Sequence, residues 1–174
     1  SIFFFFFVIA YNIDNSIFNI SVLISLLAFI VFNVSTGKIF LGDFGSYYLS
    51  SLVAFKSLEF YSNEDISVFF LASLLIYPCF EIIRSLIIRS LKNTSLMTPD
   101  NNHLHNLIYL FLLNYDLRQQ TANSLTGLGV AFATSFLPTY LYFSGLPINS
   151  DLWIILFLVQ AVILSLIYIY FEKK

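Results

Sequence analysis

Charge is scarce in this chain. Only 10% of its 174 residues are Asp, Glu, Lys or Arg, while 59% are hydrophobic. An average soluble domain has about 25% charged and 45–50% apolar residues, so a water-facing globule cannot hide this much apolar surface, and a disordered chain would not carry it. Cysteine is nearly absent: Cys79 alone excludes an internal disulfide framework. Six Gly and four Pro exclude collagen-like repeats and low-complexity linkers, the Phe3–Phe7 run apart. Eight Lys and Arg in a chain of net charge −2 give no broad basic field for nucleic acid. No Gly-x-Ser-x-Gly, phosphate-cradling glycine loop or dinucleotide fingerprint occurs. What remains abundant is Phe at 21 and Tyr at 11, with a mean hydropathy of +0.85. These fit a lipid-facing surface with aromatic rings at its borders.

A helix needs about 20 apolar residues to cross the hydrocarbon core. The chain reads as one all-α membrane domain over residues 1–174, a polytopic bundle of about six spans. They are Ile2–Tyr11, which is short, Ile17–Val34, Ser46–Tyr61, Ile66–Ile83, Thr121–Phe143 and Leu152–Phe171. Lys56 and Glu59 interrupt the third at i,i+3 spacing, which suits a pair on one helix face near its outer end or a polar pathway. Lys38, Arg84, Arg89, Lys92, Arg118, Lys173 and Lys174 fall between alternate spans or after the last, whereas the turns 12–16, 62–65 and 144–151 carry Asp14, Glu64, Asp65 and Asp151 and no basic residue. Positive-inside bias then places both termini, loop 35–45 and loop 84–120 in the cytoplasm of an inner (plasma) membrane protein. The longer loop contains an amphipathic continuation, Glu81–Lys92, a breaker cluster, Asn93–Pro99, and a short helix, His103–Asn114, with Asp100 placed to cap it.

Three polar groupings sit on that side. In Gly37–Ser46, glycines flank Asp43, and Ser46 suits the N-cap of the third span. Asp43 would then stand at a helix N-terminus, able to hold a phosphate or hard cation there or simply to close a turn. In Pro99–Asn106, His103 and His105 are two apart, so they diverge rather than share a helix face. They could bind phosphate or a nucleobase, or be an interfacial pair, and Cys79 is too distant to complete a zinc site. Around the end of the fourth span, Pro78 should kink the helix, Glu81 follows it, and Arg84 and Arg89 suit lipid or substrate phosphate or anchor the inner face.

The order Asn33…Gly37-Lys38-Ile39-Phe40-Leu41-Gly42-Asp43-Phe44-Gly45-Ser46, one hairpin of spans, Pro78 with an acid three later, then Pro99-Asp100…His103-Leu104-His105 resembles the polyprenyl-phosphate N-acetylhexosamine-1-phosphate transferases, a glycosyltransferase family 4-like group. Arg118-Gln119-Gln120 before the fifth span fits as well. The resemblance implies an enzyme that transfers a sugar-1-phosphate from a UDP-N-acetylhexosamine to a polyprenyl phosphate lipid with Mg²⁺, at the start of cell-envelope polysaccharide synthesis (cell wall or lipopolysaccharide). By it, Asp43 is the Mg²⁺ and diphosphate aspartate, and His103 and His105 serve nucleotide-sugar binding and catalysis. Lys38, Ser46, Arg84, Arg89 and Asp100 complete the expected substrate-binding set.

The chain departs from the family pattern at Asn106, where another His is common, at Glu81, where Asp is usual, and at Asn101, where a basic residue is common. The separated His-Leu-His is closer to the amino-sugar-1-phosphate branch than to the muramoyl-pentapeptide branch. The family's paired-aspartate motif is missing. The expectation is therefore the C-terminal part of a transferase, inactive without an N-terminal half. A non-enzymatic membrane subunit and a small transporter are the rivals; a transporter would carry ionisable groups at mid-membrane rather than at span ends.

Overall fold

Charge-poor segments of this kind satisfy their backbone internally, and the computed structural model, which describes residues 1–37, 41–63, 66–92 and 102–173, consists there of helices joined by turns, with no strand. Helix α1 spans Ile2–Ile13, α2 Ile17–Thr36, α3 Gly42–Asn63, α4 Val68–Leu74, α5 Ile76–Lys92 and α6 Leu104–Leu113. Helix α7, Gln119–Ala131, continues through a π turn at Phe132–Phe136 into α8, Leu137–Phe143, and α9 spans Leu152–Glu172. Among the described residues, α2 and α9 are individually long and apolar enough to cross a membrane, and α4 with α5 forms a third candidate bent by 85°. Large side chains such as Phe32 on α2 and Ile155, Val162 and Leu166 on α9 are exposed, as expected of lipid-facing surface. The expected Glu64, Asp65 and Lys174 positions and the Asn93–Pro99 breaker lie outside the described residues.

Two corrections to the sequence expectation concern helix ends. Helix α3 begins at Gly42, so Ser46 is not its N-cap: Ser46 Oγ lies inside the helix and donates to Gly42 O at 2.7 Å. Gly42 has a φ of +66°, a left-handed entry open to glycine, which lets the helix start four residues sooner. The fourth span is not one rod but α4 and α5, broken at Leu75.

Pro78 explains the break. Its nitrogen carries no hydrogen, and in a straight helix its ring would strike the Leu74 carbonyl. The chain turns instead, and Ser135 Oγ from the π turn donates to Leu74 O at 2.9 Å. The same device recurs at Pro138. The carbonyl it leaves without a helical partner, Thr134 O, accepts from Gln160 Nε2 of α9 at 2.8 Å. Each proline thus frees a buried acceptor that a polar side chain of a neighbouring helix satisfies.

Contacts sort the turns into two ends of the bundle. At one end, Tyr142 Oη donates to Asn12 Oδ1 at 2.7 Å, and Ser67 N donates to Ile148 O at 3.1 Å. Lys56, only 8% exposed, joins them. Its ammonium lies 2.9 Å from Glu59 and 3.2 Å from Asp14, so the expected i,i+3 pair has a third member from the α1–α2 turn. At the other end, α7 closes the C-terminus of α2: Gln120 Nε2 donates to Ser35 O at 2.6 Å and Ser124 Oγ to Val34 O at 3.4 Å. Gly37 ends α2 with a φ of +61°, and a Cβ there would stand 2.8 Å from Gln120 Cγ. Between the ends, Phe6, Phe7, Phe60, Phe70 and Trp153 fill the core.

Replacing Ser135 with Ala is expected to destabilise the protein by about 1 kcal/mol, because it strands a buried carbonyl. In a Pro78→Ala background the cost should fall, since residue 78 then carries an N–H of its own. Denaturation of the four proteins in micelles checks this. An equal cost in both backgrounds would show that Ser135 does not serve the carbonyl freed by Pro78.

Candidate functional site

Tyr77, Glu81 and Arg84 lie at i, i+4 and i+7 of α5 and share one face. That face meets the start of α6, where His103 is the N-cap residue, and the last turns of α9. An isolated α6 would leave its first N–H groups without partners. Here α5 supplies them: Glu81 Oε1 accepts from Leu104 N at 2.7 Å, and Tyr77 Oη accepts from His105 N at 3.2 Å. The His103 side chain does not cap its own helix. The expected cap, Asp100, lies outside the described residues, and the capping seen comes from Glu81, whose negative charge also suits a helix N-terminus.

The second oxygen of Glu81 gathers the polar side chains. His103 Nδ1 is 2.7 Å from Glu81 Oε2, and Arg84 donates to the same oxygen through Nη2 at 3.1 Å and Nε at 3.3 Å. Arg84 is 7% exposed. Its guanidinium stacks 4.6 Å from the Tyr168 ring centre, and Nη1 donates to Tyr168 Oη at 3.1 Å. Tyr168 Oη in turn donates to Glu172 at 3.3 Å. Tyr77 Oη lies 2.9 Å from His105 Nδ1, and the two imidazoles stack with centres 5.5 Å and planes 9° apart. The pair thus presents its outer edges, side by side, away from α5.

His105 as a whole is exposed, yet its Nδ1 side is packed against protein. That partial desolvation pushes the imidazole below its ordinary 6.5, helped by the neighbouring His103 and the Arg84 guanidinium and opposed by the Glu81 carboxylate. The ring is therefore neutral at pH 7.

The structure brings together His103, His105 and Arg84 of the expected residues, and adds Glu81, Tyr77 and Tyr168. Asp43 stands exposed in the first turn of α3 and takes no part in this network. Ser46 is exposed one turn later, and Arg89 lies further along α5, partly buried. Lys38, Asp100 and Asn101 fall outside the described residues. The end of α2, the start of α3 and the histidines nonetheless lie at one end of the bundle. The α2 terminus is bound to the start of α7, α6 packs on α7 and α9, and Arg84 meets the last turns of α9. Among the described residues no three His, Cys, Asp or Glu side chains gather as a metal cage. Asp43 can offer a single carboxylate, which fits Mg²⁺ only in the mode where substrate phosphates and water supply most ligands.

Sequence reasoning missed Tyr77 and Tyr168. The signal for Tyr77 was its i,i+4 relation to Glu81 across Pro78; nothing in the sequence pairs Tyr168 with Arg84. Beside the network, α5 and α9 enclose an apolar groove of about 550 Å³, walled by Ile76, Phe80, Ile87, Phe157 and Ile169 and reaching Arg84 and Glu172.

A helical membrane bundle with a buried acid at the foot of a histidine pair is thus the class defined. Residues 1–61 match the family model described as glycosyl transferase family 4. Over that stretch, which holds Asp43 and ends before Pro78 and the histidines, the chain is glycosyltransferase family 4-like. No curated protein and no solved structure matches the chain.

The sign of the His105 shift makes a prediction. A base whose folded pKa lies below its unfolded value contributes stability above the unfolded value and loses it as pH falls toward the folded one. Lowering the pH from about 7 to about 5 should therefore lower the melting temperature more in the wild type than in His105→Gln. An identical pH response of the two would show that folding does not desolvate the His105 imidazole.

Proposed function

We propose that this chain forms part of a UDP-N-acetylhexosamine:polyprenyl-phosphate sugar-1-phosphate transferase. The observation that carries the reading is the histidine pair, anchored by Glu81 and Tyr77 at the same end of the bundle as the start of α3, where Asp43 stands. The match of residues 1–61 to glycosyl transferase family 4 supports it independently. On this reading the end bearing Asp43, His103 and His105 faces the cytoplasm, where nucleotide sugars are made, and about six segments traverse the inner membrane.

In the reaction an oxygen of the lipid phosphate attacks the β-phosphorus of the UDP-sugar. The new P–O bond forms as the bond from the β-phosphorus to the bridging oxygen breaks, and UMP leaves with that oxygen. The attacking oxygen is already ionised at neutral pH, so the protein's task is positioning and charge stabilisation. Mg²⁺, when bound, would supply charge neutralisation at the diphosphate. Asp43 would offer it a carboxylate, and the outer edges of His103 and His105 would hold the nucleotide diphosphate. Arg84 is turned toward Glu81 and Tyr168, which suits it to hold the site together. Arg89 and Lys38 would bind lipid or substrate phosphate, with Ser46 and Asp100 beside the two motifs. The α5–α9 groove offers an apolar bed for an isoprenoid tail next to the site.

One carboxylate does not fill a Mg²⁺ shell, and the family's paired aspartates are missing from these residues. The 174-residue chain alone is expected to transfer no sugar-1-phosphate from a UDP-N-acetylhexosamine in the presence of Mg²⁺ and polyprenyl phosphate. Joined to a segment carrying a paired-aspartate motif, it should become active, and Asp43→Asn should then lower kcat by about 10²-fold or more. Activity is read as UMP release. Full activity of the joined Asp43→Asn protein would overturn the role of Asp43. No activity in any joined form would leave a non-enzymatic membrane subunit as the better reading.

A further inference from the structure

The hydrogen-bond valences around the histidines are unequal. Glu81 Oε2 accepts from two nitrogens of Arg84, which keeps the carboxylate ionised and without a proton to give. His103 Nδ1 lies 2.7 Å from that oxygen, so the proton between them must belong to the imidazole. Arg84 Nη2 also lies 3.4 Å from His103 Nδ1, but a lone pair there would leave the much shorter contact to Glu81 as two lone pairs face to face.

The reverse holds at His105. Tyr77 has one hydroxyl proton and two possible takers. Glu81 Oε1, at 3.3 Å, is beyond the usual O–H···O range and already accepts the Leu104 N–H, whereas His105 Nδ1 is at 2.9 Å. The Tyr77 oxygen also accepts the His105 backbone N–H, which leaves its proton aimed at the ring.

We propose that Glu81 and Tyr77 are positioning residues that hold the two histidines in opposite tautomers. His103 carries its proton on Nδ1 and offers a lone pair at Nε2, while His105 carries its proton on Nε2. The stacked rings then present an acceptor and a donor side by side at the outer edge. A nucleoside diphosphate matches that pair: a ribose hydroxyl donates and a phosphate oxygen accepts. Two donors, as in a doubly protonated pair, would favour bare phosphate instead. The assignment of the ligand rests on the proposed function; the tautomers do not.

The test is nitrogen NMR of the full chain, labelled with ¹⁵N-histidine, in lipid nanodiscs at about pH 8, above the ordinary imidazole pKa. His103→Asn and His105→Asn identify the signals. The expected spectrum shows Nδ1 protonated in His103 and Nε2 protonated in His105. In Tyr77→Phe, His105 should move to a mixture of tautomers while His103 stays, which also reports that α6 is still docked. The wild-type spectrum decides without any variant: the same tautomer in both rings overturns the proposal, as does a His105 indifferent to Tyr77→Phe. Added UDP should shift both outer nitrogens, whereas inorganic phosphate should shift His105 alone. Opposite tautomers with no response to UDP would keep the positioning roles and remove the nucleotide reading.

Discussion

A carboxylate placed among apolar helices must be satisfied on both oxygens, and Glu81 shows how much structure one such demand can organise. Its side chain is about 10% exposed. One oxygen caps α6, and the other binds His103 and Arg84, which carries the contact on to Tyr168 of α9. Helices α5, α6 and α9 therefore meet at a single charge. Removing one partner from a buried ion pair costs about 3–5 kcal/mol, because the other charge is left stranded. Arg84 would be stranded without Glu81, and α6 would lose the group that fixes where it begins.

The same constraint, that buried backbone groups need partners, shapes the rest of the bundle. Pro78 and Pro138 each withdraw a donor, and Ser135 and Gln160 replace them from neighbouring helices. At the end of α2 the Ser35 and Val34 carbonyls accept hydrogen bonds that Gln120 Nε2 and Ser124 Oγ of α7 donate. In lipid the backbone has no water to turn to, so these side-chain bonds fix which helices are neighbours. The consequence for function is positional: after the bend, the α5 face that carries Glu81 meets the start of α6 and the last turns of α9.

Much of this was legible in the sequence, and the part that was not has a physical cause. The apolar runs located helices, the i,i+3 spacing of Lys56 and Glu59 announced their pair, and Pro78 announced a break. The amphipathic stretch Glu81–Lys92 and the short helix near His103–Asn114 emerged close to their expected bounds. Ser46 misled because serine favours an N-cap, while the left-handed freedom of Gly42 started α3 sooner. The candidate site was legible as residue types, not as connections. Nothing local to His103 says that its partner is a glutamate more than twenty residues earlier, and Asp14 joining Lys56 is likewise a product of tertiary packing. The helix pair bent by 85° could not be sized from a proline alone, and nothing local to Pro78 says that Ser135, some sixty residues on, binds the carbonyl it frees.

If the Glu81-anchored histidines and Asp43 serve one nucleotide sugar, rather than each stabilising its own corner of the bundle, both must contribute to its binding. The most direct measurement is the affinity of the protein for a UDP-N-acetylhexosamine, by calorimetry with Mg²⁺ present, in the wild type, Asp43→Asn, His105→Asn and the double variant. Binding should weaken in each single variant and by less than the sum in the double, as expected of two groups on one ligand. Undiminished binding in both single variants, or no binding by the wild type, would contradict a shared site.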